Sequence, residues 1–127
     1  DYIEAEWGIA MLTLHEGKPQ EALTKLLQVL EAFRASRGHE NPQVAMLTHN
    51  VAMACRACNK LDQAINLYSE SLKIKKKVLG PEHPFVAVTL MNMGVIYNIQ
   101  KDFQKAQVTY EEALAIQKEN FGDSNPQ

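Results

Sequence analysis

The chain has 127 residues, of which 46% are hydrophobic and 22% are charged, and its formal net charge is −2 at pH 7. These values are typical of one folded domain with an ordinary core, and so small a net charge argues against nucleic-acid or anionic-membrane partners. No apolar run is long enough to cross a bilayer, no signal-peptide pattern opens the chain, and two cysteines suit a reducing compartment. We therefore expect a cytoplasmic protein. A first residue of Asp1 instead of Met suggests a piece of a longer chain.

One period of 42 residues runs through the sequence. The triplets in this register are Pro42, Pro84 and Pro126; Gly38, Gly80 and Gly122; Ala22, Ala64 and Ala106; and Leu30, Leu72 and Leu114. Four independent triplets with one spacing predict a repeat protein. We divide the chain at 1–42, 43–84 and 85–127. The last part ends on Asn125-Pro-Gln127, which repeats Asn41-Pro-Gln43 and would begin a fourth repeat.

Each repeat is predicted to form two helices. The joint Gly80-Pro-Glu-His-Pro84 cannot be helical, because each proline lacks an N–H and restricts the residue before it. Its glycine suits a left-handed residue after a helix end, and weaker breaks fall at Gly17, Asn59 and Lys101. No segment shows strand alternation over a useful length. The expected helices are 2–16, 19–36, 43–58, 61–78, 85–100 and 103–120.

The first helix of each repeat is apolar on two sides. In the third repeat one stripe is Val86, Leu90, Met93, Gly94 and Tyr97, and the other is Val88, Met91, Asn92, Val95, Asn98 and Ile99. A helix with two such stripes is either sandwiched or faces a partner. The second helices have one broad apolar stripe. Their lysines, including the run 73–77, are expected on a solvated face and not on a nucleic-acid patch, because the run lacks interleaved aromatic residues.

Small residues occupy three slots in this register. They are Ala10, Ala52 and Gly94; Ala22, Ala64 and Ala106; and Val29, Ser71 and Ala113, with Leu26, Tyr68 and Tyr110 between the last two sets. This pattern resembles the tetratricopeptide repeat. The long second helix and the joint Gly80–Ala87 resemble the kinesin light chain subclass. The resemblance implies an all-α, right-handed α-solenoid of three helix–turn–helix repeats. The first repeat departs from it, because Gly8 stands where Asn50 and Asn92 stand in the others.

The resemblance also implies that the first helices line a concave groove. The second stripes of these helices would then face a bound peptide, and we call the candidate contacts named at the end of this paragraph the grid. Methionine adapts to varied partners, and asparagine can pair with both backbone groups of an extended peptide. We expect Asn50 and Asn92 to hold a short linear motif of another protein, with apolar anchors around them. Two plainer explanations stay open: the methionines belong to the core, and the asparagines join adjacent helices. The candidate contacts are Trp7, Met11, Met46, His49, Asn50, Met53, Arg56, Val88, Met91, Asn92, Val95 and Asn98.

The charge of this grid limits the ligand. Tetratricopeptide domains that clamp a C-terminal carboxylate need Lys and Arg in the groove, where this chain has Val88 and Asn92. Binding of chaperone tails is therefore not expected. Kinesin light chains bind cargo motifs that contain a tryptophan and acidic residues. Arg56 is the one cation among the candidate contacts, so these contacts suit the apolar part of such a motif better than the acidic part.

Catalytic chemistry is not expected. Cys55-Arg-Ala-Cys58 has no second pair to complete a zinc site and falls at a helix end, with Cys55 in a core slot. No phosphate loop or dinucleotide fingerprint occurs. We expect no enzyme, no cofactor and no metal, but an adaptor or scaffold. The alternatives are a structural spacer, self-association through the terminal repeats, and an accessory domain of a larger enzyme or sensor.

Overall fold

The computed structural model describes residues 2–121, and these residues form six α-helices and no strand. Each predicted helix is present, with both ends within one residue of the prediction. The motif Asn125-Pro-Gln127 and Gly122 lie outside the described residues. The helices are α1 (Tyr2–His15), α2 (Pro19–Arg37), α3 (Pro42–Ala57), α4 (Leu61–Leu79), α5 (Pro84–Ile99) and α6 (Phe103–Phe121).

Proline starts the first helices of the second and third repeats. Pro42 and Pro84 are the first helical residues, one position earlier than expected. A proline fits there because the first turn needs no backbone donor and its fixed φ is already helical. Asn41 caps α3 through its side-chain oxygen, which accepts from the Val44 N–H at 2.9 Å. These local signals explain why the helix starts are readable from the sequence.

The joint after α2 requires a glycine. Gly38 has φ 88° and ψ −177°, a region that is open almost only to glycine. The expected positive φ is confirmed. The ψ value, however, places Gly38 outside the left-handed helical region, so the chain leaves α2 in an extended direction.

The turn between the two helices of a repeat uses a left-handed residue each time. Gly17, Asn59 and Lys101 lie one period apart and have φ values of 82°, 63° and 64°.

The positive φ of Lys101 can be tested by substitution. A residue that carries a Cβ is strained at positive φ, and asparagine tolerates this conformation better than lysine. We therefore expect Lys101→Asn to raise the free energy of unfolding by about 0.5–1 kcal/mol. Urea unfolding measures the change. The reciprocal variant, Asn59→Lys, should lower stability, and a shift of the same sign in both variants would contradict this explanation.

The described residues group into two compact units, of which the first ends at Ser71 and the second begins at Leu72. In the first unit α1 packs against α2, and α2 packs against α3. Ala10 and Ala22 are fully buried in the small-residue slots. The Ser71 hydroxyl, in the third slot, donates to the Ala45 carbonyl at 2.6 Å. The predicted packing slots therefore bring helix backbones close together in this unit.

In the second unit α5 packs against α6. The slot at Gly94 is tight, because a Cβ on this residue would lie 2.7 Å from the ring of Tyr110. A side chain cannot approach that closely without displacing the ring. The buried cluster between the helices is Val86, Ala87, Leu90, Ala113 and Ile116, with Leu72 against it.

One lysine of the run 73–77 is not on a solvated face, so that prediction is wrong for Lys75. Its side chain is 2% exposed, and its Nζ donates to the hydroxyl of Thr89 at 2.7 Å. Burial lowers the pKa of Lys75 to about 8. The repeat register could have signalled this, since the same position in the first repeat is Phe33, which is fully buried.

Candidate functional site

The predicted contacts in α1 lie partly inside the first unit. Trp7 and Met11 are both half-buried. The indole of Trp7 meets the ring of Phe33 edge-on, with 5.7 Å between the ring centroids and an interplanar angle of 85°. Such a T-shaped contact is favourable for two aromatic rings. Trp7 therefore contributes to the core as well as to the surface.

The stripe on α3 is deeper than the sequence suggested. His49 and Asn50 are only 6% and 9% exposed, and the imidazole packs against Tyr68 with 5.1 Å between ring centroids. Met46 and Met53 are half-buried, whereas Arg56 is exposed. On α3, the side chains that a partner reaches most easily are therefore the two methionines and the arginine.

The stripe on α5 is more open. Val88 and Met91 are 46% and 42% exposed, Asn92 and Val95 are half-buried, and Asn98 is exposed. We call Val88, Met91 and Val95 the strip on α5. The opposite face of the helix is buried, so packing holds the strip in a fixed position. Another member of the stripe, Ile99, is 50% exposed and extends the strip by one turn. The strip is attached to α6 as well, because the Gln117 amide donates to the Met91 sulfur at 3.3 Å.

The ionisable groups beneath the α3 stripe favour their neutral forms. Burial raises the pKa of Tyr68 to about 12, an effect that Arg56 partly offsets. Burial also raises the pKa of the Cys55 thiol above its usual value. A thiol with a raised pKa is a poor nucleophile, which agrees with the prediction that Cys55 is a core residue.

The second cysteine of the motif, Cys58, is half-buried and caps the end of α3. Within residues 2–121, no group of three or more His, Cys, Asp or Glu side chains could hold a metal ion. None of the helices described is long and apolar enough to cross a membrane. Among the candidate contacts, α3 of the first unit exposes the guanidinium of Arg56, and α5 of the second unit exposes the apolar side chains of Val88 and Met91 and the amide of Asn98.

Paired helices with small residues in the contact slots define a class of helical repeat protein. A family model described as tetratricopeptide repeat matches residues 1–77 and 43–119. The chain belongs to the tetratricopeptide repeat family. Repeats of this family are generally non-catalytic and bind other proteins. The all-α solenoid fold of helix–turn–helix repeats, predicted from the sequence, is confirmed.

Two similar solved structures are kinesin light chain-like. BtubC (BKLC) from P. vanneervenii has a TM-score of 0.85 and 24% identity, over 98% of this chain and 50% of that chain. A kinesin light chain-type protein with nearly identical TPR-like repeats from Podosopora anserina has a TM-score of 0.83 and 24% identity, over 98% and 59%. This chain thus spans about half the length of these relatives. The resemblance to the kinesin light chain-like form is confirmed for the fold.

A shorter relative matches over nearly its whole length. The TPR domain of Arabidopsis FLU has a TM-score of 0.77 and 18% identity, over 89% of this chain and 92% of that chain. No curated protein matches the sequence. At these identities the likeness concerns the fold alone, so the partner has to be inferred from the surface of this chain.

Proposed function

We propose that this chain is a protein–protein interaction module, an adaptor or scaffold, that binds a linear peptide segment along the first helices of its repeats. The observation that supports this most is the open strip on α5. Val88 and Met91 are exposed on a helix whose other face is buried. A row of exposed apolar side chains on a fixed base is typical of an interaction surface.

The surface chemistry suggests an apolar ligand with hydrogen-bonding capacity. Val88, Met91 and Val95 offer apolar contacts, and Asn98 adds an exposed amide that can donate and accept. Arg56 is the cation of the candidate grid and lies on the other unit. We therefore propose a motif with two or more apolar anchors and few charges. A cargo adaptor of the kinesin light chain type is one version of this function.

Charge substitutions on the strip provide the test. Peptides are selected against the full chain from a random displayed library, and their affinities are measured by fluorescence polarisation. Val88→Lys and Met91→Lys are each expected to weaken binding about tenfold or more, because an apolar anchor would then meet a charge. Since both residues are exposed, the fold should not change.

Val108→Lys is the matched control, because Val108 is 60% exposed on α6 and lies outside the strip. This variant should bind like the parent chain. Equal affinities for all three variants would reject the strip as the binding surface.

The asparagines are tested separately. Asn50→Ala together with Asn92→Ala is expected to abolish peptide binding, since the amides hold the peptide backbone in this proposal. Asn50 is nearly buried, so circular dichroism must show unchanged helix content. Asn92→Ala alone, at a half-buried position, is the cleaner variant, and an unchanged affinity there would remove the asparagines from the proposal.

A second candidate is a spacer that self-associates through its terminal repeats. Tyr2, Ile9 and Leu12 form an exposed apolar row on α1, which favours this candidate. Sedimentation of the full chain should then show a concentration-dependent size that Ile9→Lys abolishes. A monomer at every concentration would count against it.

A further inference from the structure

A groove of about 360 Å³ runs along one face of α6 in the second unit. We call it the α6 groove, and it is lined chiefly by Asn98, Phe103, Gln107, Tyr110, Glu111 and Leu114. Phe103, Tyr110 and Leu114 are 62%, 37% and 49% exposed, so a ligand can reach its apolar walls. Glu111 is the one charged residue of this set. The groove therefore combines aromatic and apolar surface with a single negative charge.

Tyr110 presents a flat ring face to the α6 groove. A Cβ built on Gly94 would lie 2.7 Å from one ring carbon of Tyr110 and 2.9 Å from each of the two carbons bonded to it. Such similar distances place Gly94 over a face of the ring, because an approach to the ring edge would leave the two neighbouring carbons clearly farther away. Since Gly94 covers one face, the exposed part of the ring belongs to the opposite face, which is open to a ligand.

Glu111 has no cationic partner among residues 2–121. The Gln107 amide donates to its Oε2 at 3.1 Å, which holds the carboxylate on the groove side of α6. Lys105 has other contacts: its Nζ lies 3.9 Å from a carboxylate oxygen of Asp102 and 5.8 Å from the ring centroid of Tyr97. The Glu111 carboxylate therefore keeps acceptor capacity for a positively charged ligand.

An arginine side chain matches this combination of groups. Its guanidinium is planar, stacks on aromatic faces and donates two parallel hydrogen bonds to a carboxylate. The amide oxygens of Asn98 and Gln107 can accept its remaining N–H groups. A lysine ammonium lacks the flat surface, a quaternary ammonium lacks the N–H donors, and an apolar side chain would leave the charge of Glu111 unpaired.

We propose that the α6 groove binds an arginine of the same peptide that lies along the strip on α5, an inference that rests on the proposed function. Asn98 joins the two surfaces, because it is an exposed member of the α5 stripe and also lines the groove. Met91 and Asn98 are about 10 Å apart along the helix axis, which is the span of about three extended residues. The motif therefore has an arginine about three residues from the anchor that contacts Met91.

The groove is tested first without the peptide. Nα-acetyl-arginine N-methylamide is titrated into the isotope-labelled full chain, and NMR follows the backbone amide signals of Gln107, Tyr110 and Glu111. We expect saturable shifts at about millimolar concentrations. The corresponding amides of lysine, citrulline and leucine should bind at least about threefold more weakly, because citrulline keeps the plane without the charge and lysine keeps the charge without the plane. Equal affinities for the four amides, or shifts that do not saturate, would overturn the proposal.

Two neighbouring acids provide a matched pair of variants. Glu111→Gln should weaken binding of the arginine amide about threefold, to the level of the citrulline amide. Glu112→Gln makes the same change in net charge, but Glu112 already pairs with Lys76 at 3.1 Å and does not line the groove, so this variant should bind like the parent chain. Equal weakening in both variants would show that the amide responds only to net charge, and the groove would not be the site.

The link to the strip is tested with the peptides selected against the full chain. In a peptide whose binding is weakened by Val88→Lys, replacing the arginine with citrulline should weaken binding about fivefold or more, and Glu111→Gln should reduce that difference. Peptides that depend on Val88 but contain no arginine at this spacing would leave the proposed function standing and overturn the shared motif. If no peptide depends on Val88, the proposed function fails and the shared motif fails with it, whereas the NMR titration still decides whether the groove binds arginine.

Discussion

Replacing Phe33 with alanine is expected to lower the free energy of unfolding by about 3–5 kcal/mol. The ring is fully buried, Trp7 packs edge-on against it, and the Arg37 guanidinium carbon lies 4.4 Å from its centroid. Truncation therefore removes a large apolar burial, an aromatic pair and a cation–π contact together. It also leaves a cavity that the helices cannot fully close.

Urea unfolding followed by circular dichroism measures this loss, and the emission of Trp7, the one tryptophan in the chain, reports on the same contact. The matched control is Leu27→Ala on the same helix, where Leu27 is half-exposed and a loss below about 1 kcal/mol is expected. If Phe33→Ala unfolds at nearly the same urea concentration as the parent chain, the packing of α1 on α2 is not as described.

Replacing Lys75 with methionine is expected to raise the free energy of unfolding by about 1–3 kcal/mol at pH 7. The buried ammonium costs free energy because burial has lowered its pKa from 10.5 to about 8. Methionine has a similar length and carries no charge. The gain is smaller than the full cost of the charge, because the Thr89 hydroxyl loses its hydrogen bond to Nζ, although it keeps its contact with the Phe85 carbonyl at 3.3 Å.

The pH dependence identifies the lysine as the cause. The unfolded chain holds the Lys75 proton up to about pH 10.5, whereas the folded chain releases it near pH 8. Between these values unfolding takes up a proton, so the stability of the parent chain rises with pH. Cys55 and Tyr68 act in the opposite direction above about pH 9 and pH 10, because their folded pKa values are raised. The rise should therefore be clearest between about pH 8 and pH 9.

Urea unfolding from pH 7 to pH 9 makes this measurement. The parent chain should become more stable towards pH 9, and Lys75→Met should lack this contribution. Lys73→Met, at an exposed position of the same helix, should keep it. A parent chain and a Lys75→Met variant with identical pH profiles would show that the buried amine does not titrate in this range.

These two predictions concern one position of the repeat. Phe33, Lys75 and Gln117 lie one period apart, and they are fully buried, almost fully buried and half-buried. The register therefore preserves the place of a side chain between helices but not its chemistry. In the second repeat this place holds a buried amine, and in the third repeat it holds an amide that contacts Met91.

The grid of candidate contacts shows the same limit. In the third repeat, helical spacing correctly separates the buried stripe of α5, with Val86, Leu90 and Met93, from the open stripe with Val88 and Met91. It does not reveal that His49 packs against Tyr68, or that Val88 and Met91 stay exposed while Asn50 is nearly buried. These differences depend on side chains from other helices, which spacing within one helix does not describe.

By itself, the sequence determined the number of helices, their ends within one residue, the 42-residue period and the small-residue slots. These features depend on local chemistry: proline and glycine restrict the backbone where they stand, and apolar spacing follows the 3.6-residue turn. Only the tertiary structure decided which members of a stripe are buried, that Lys75 is enclosed, and that α5 and α6 keep open apolar faces. The reason is that burial depends on which residues of other helices approach a position, and that arrangement exists only in the packed chain.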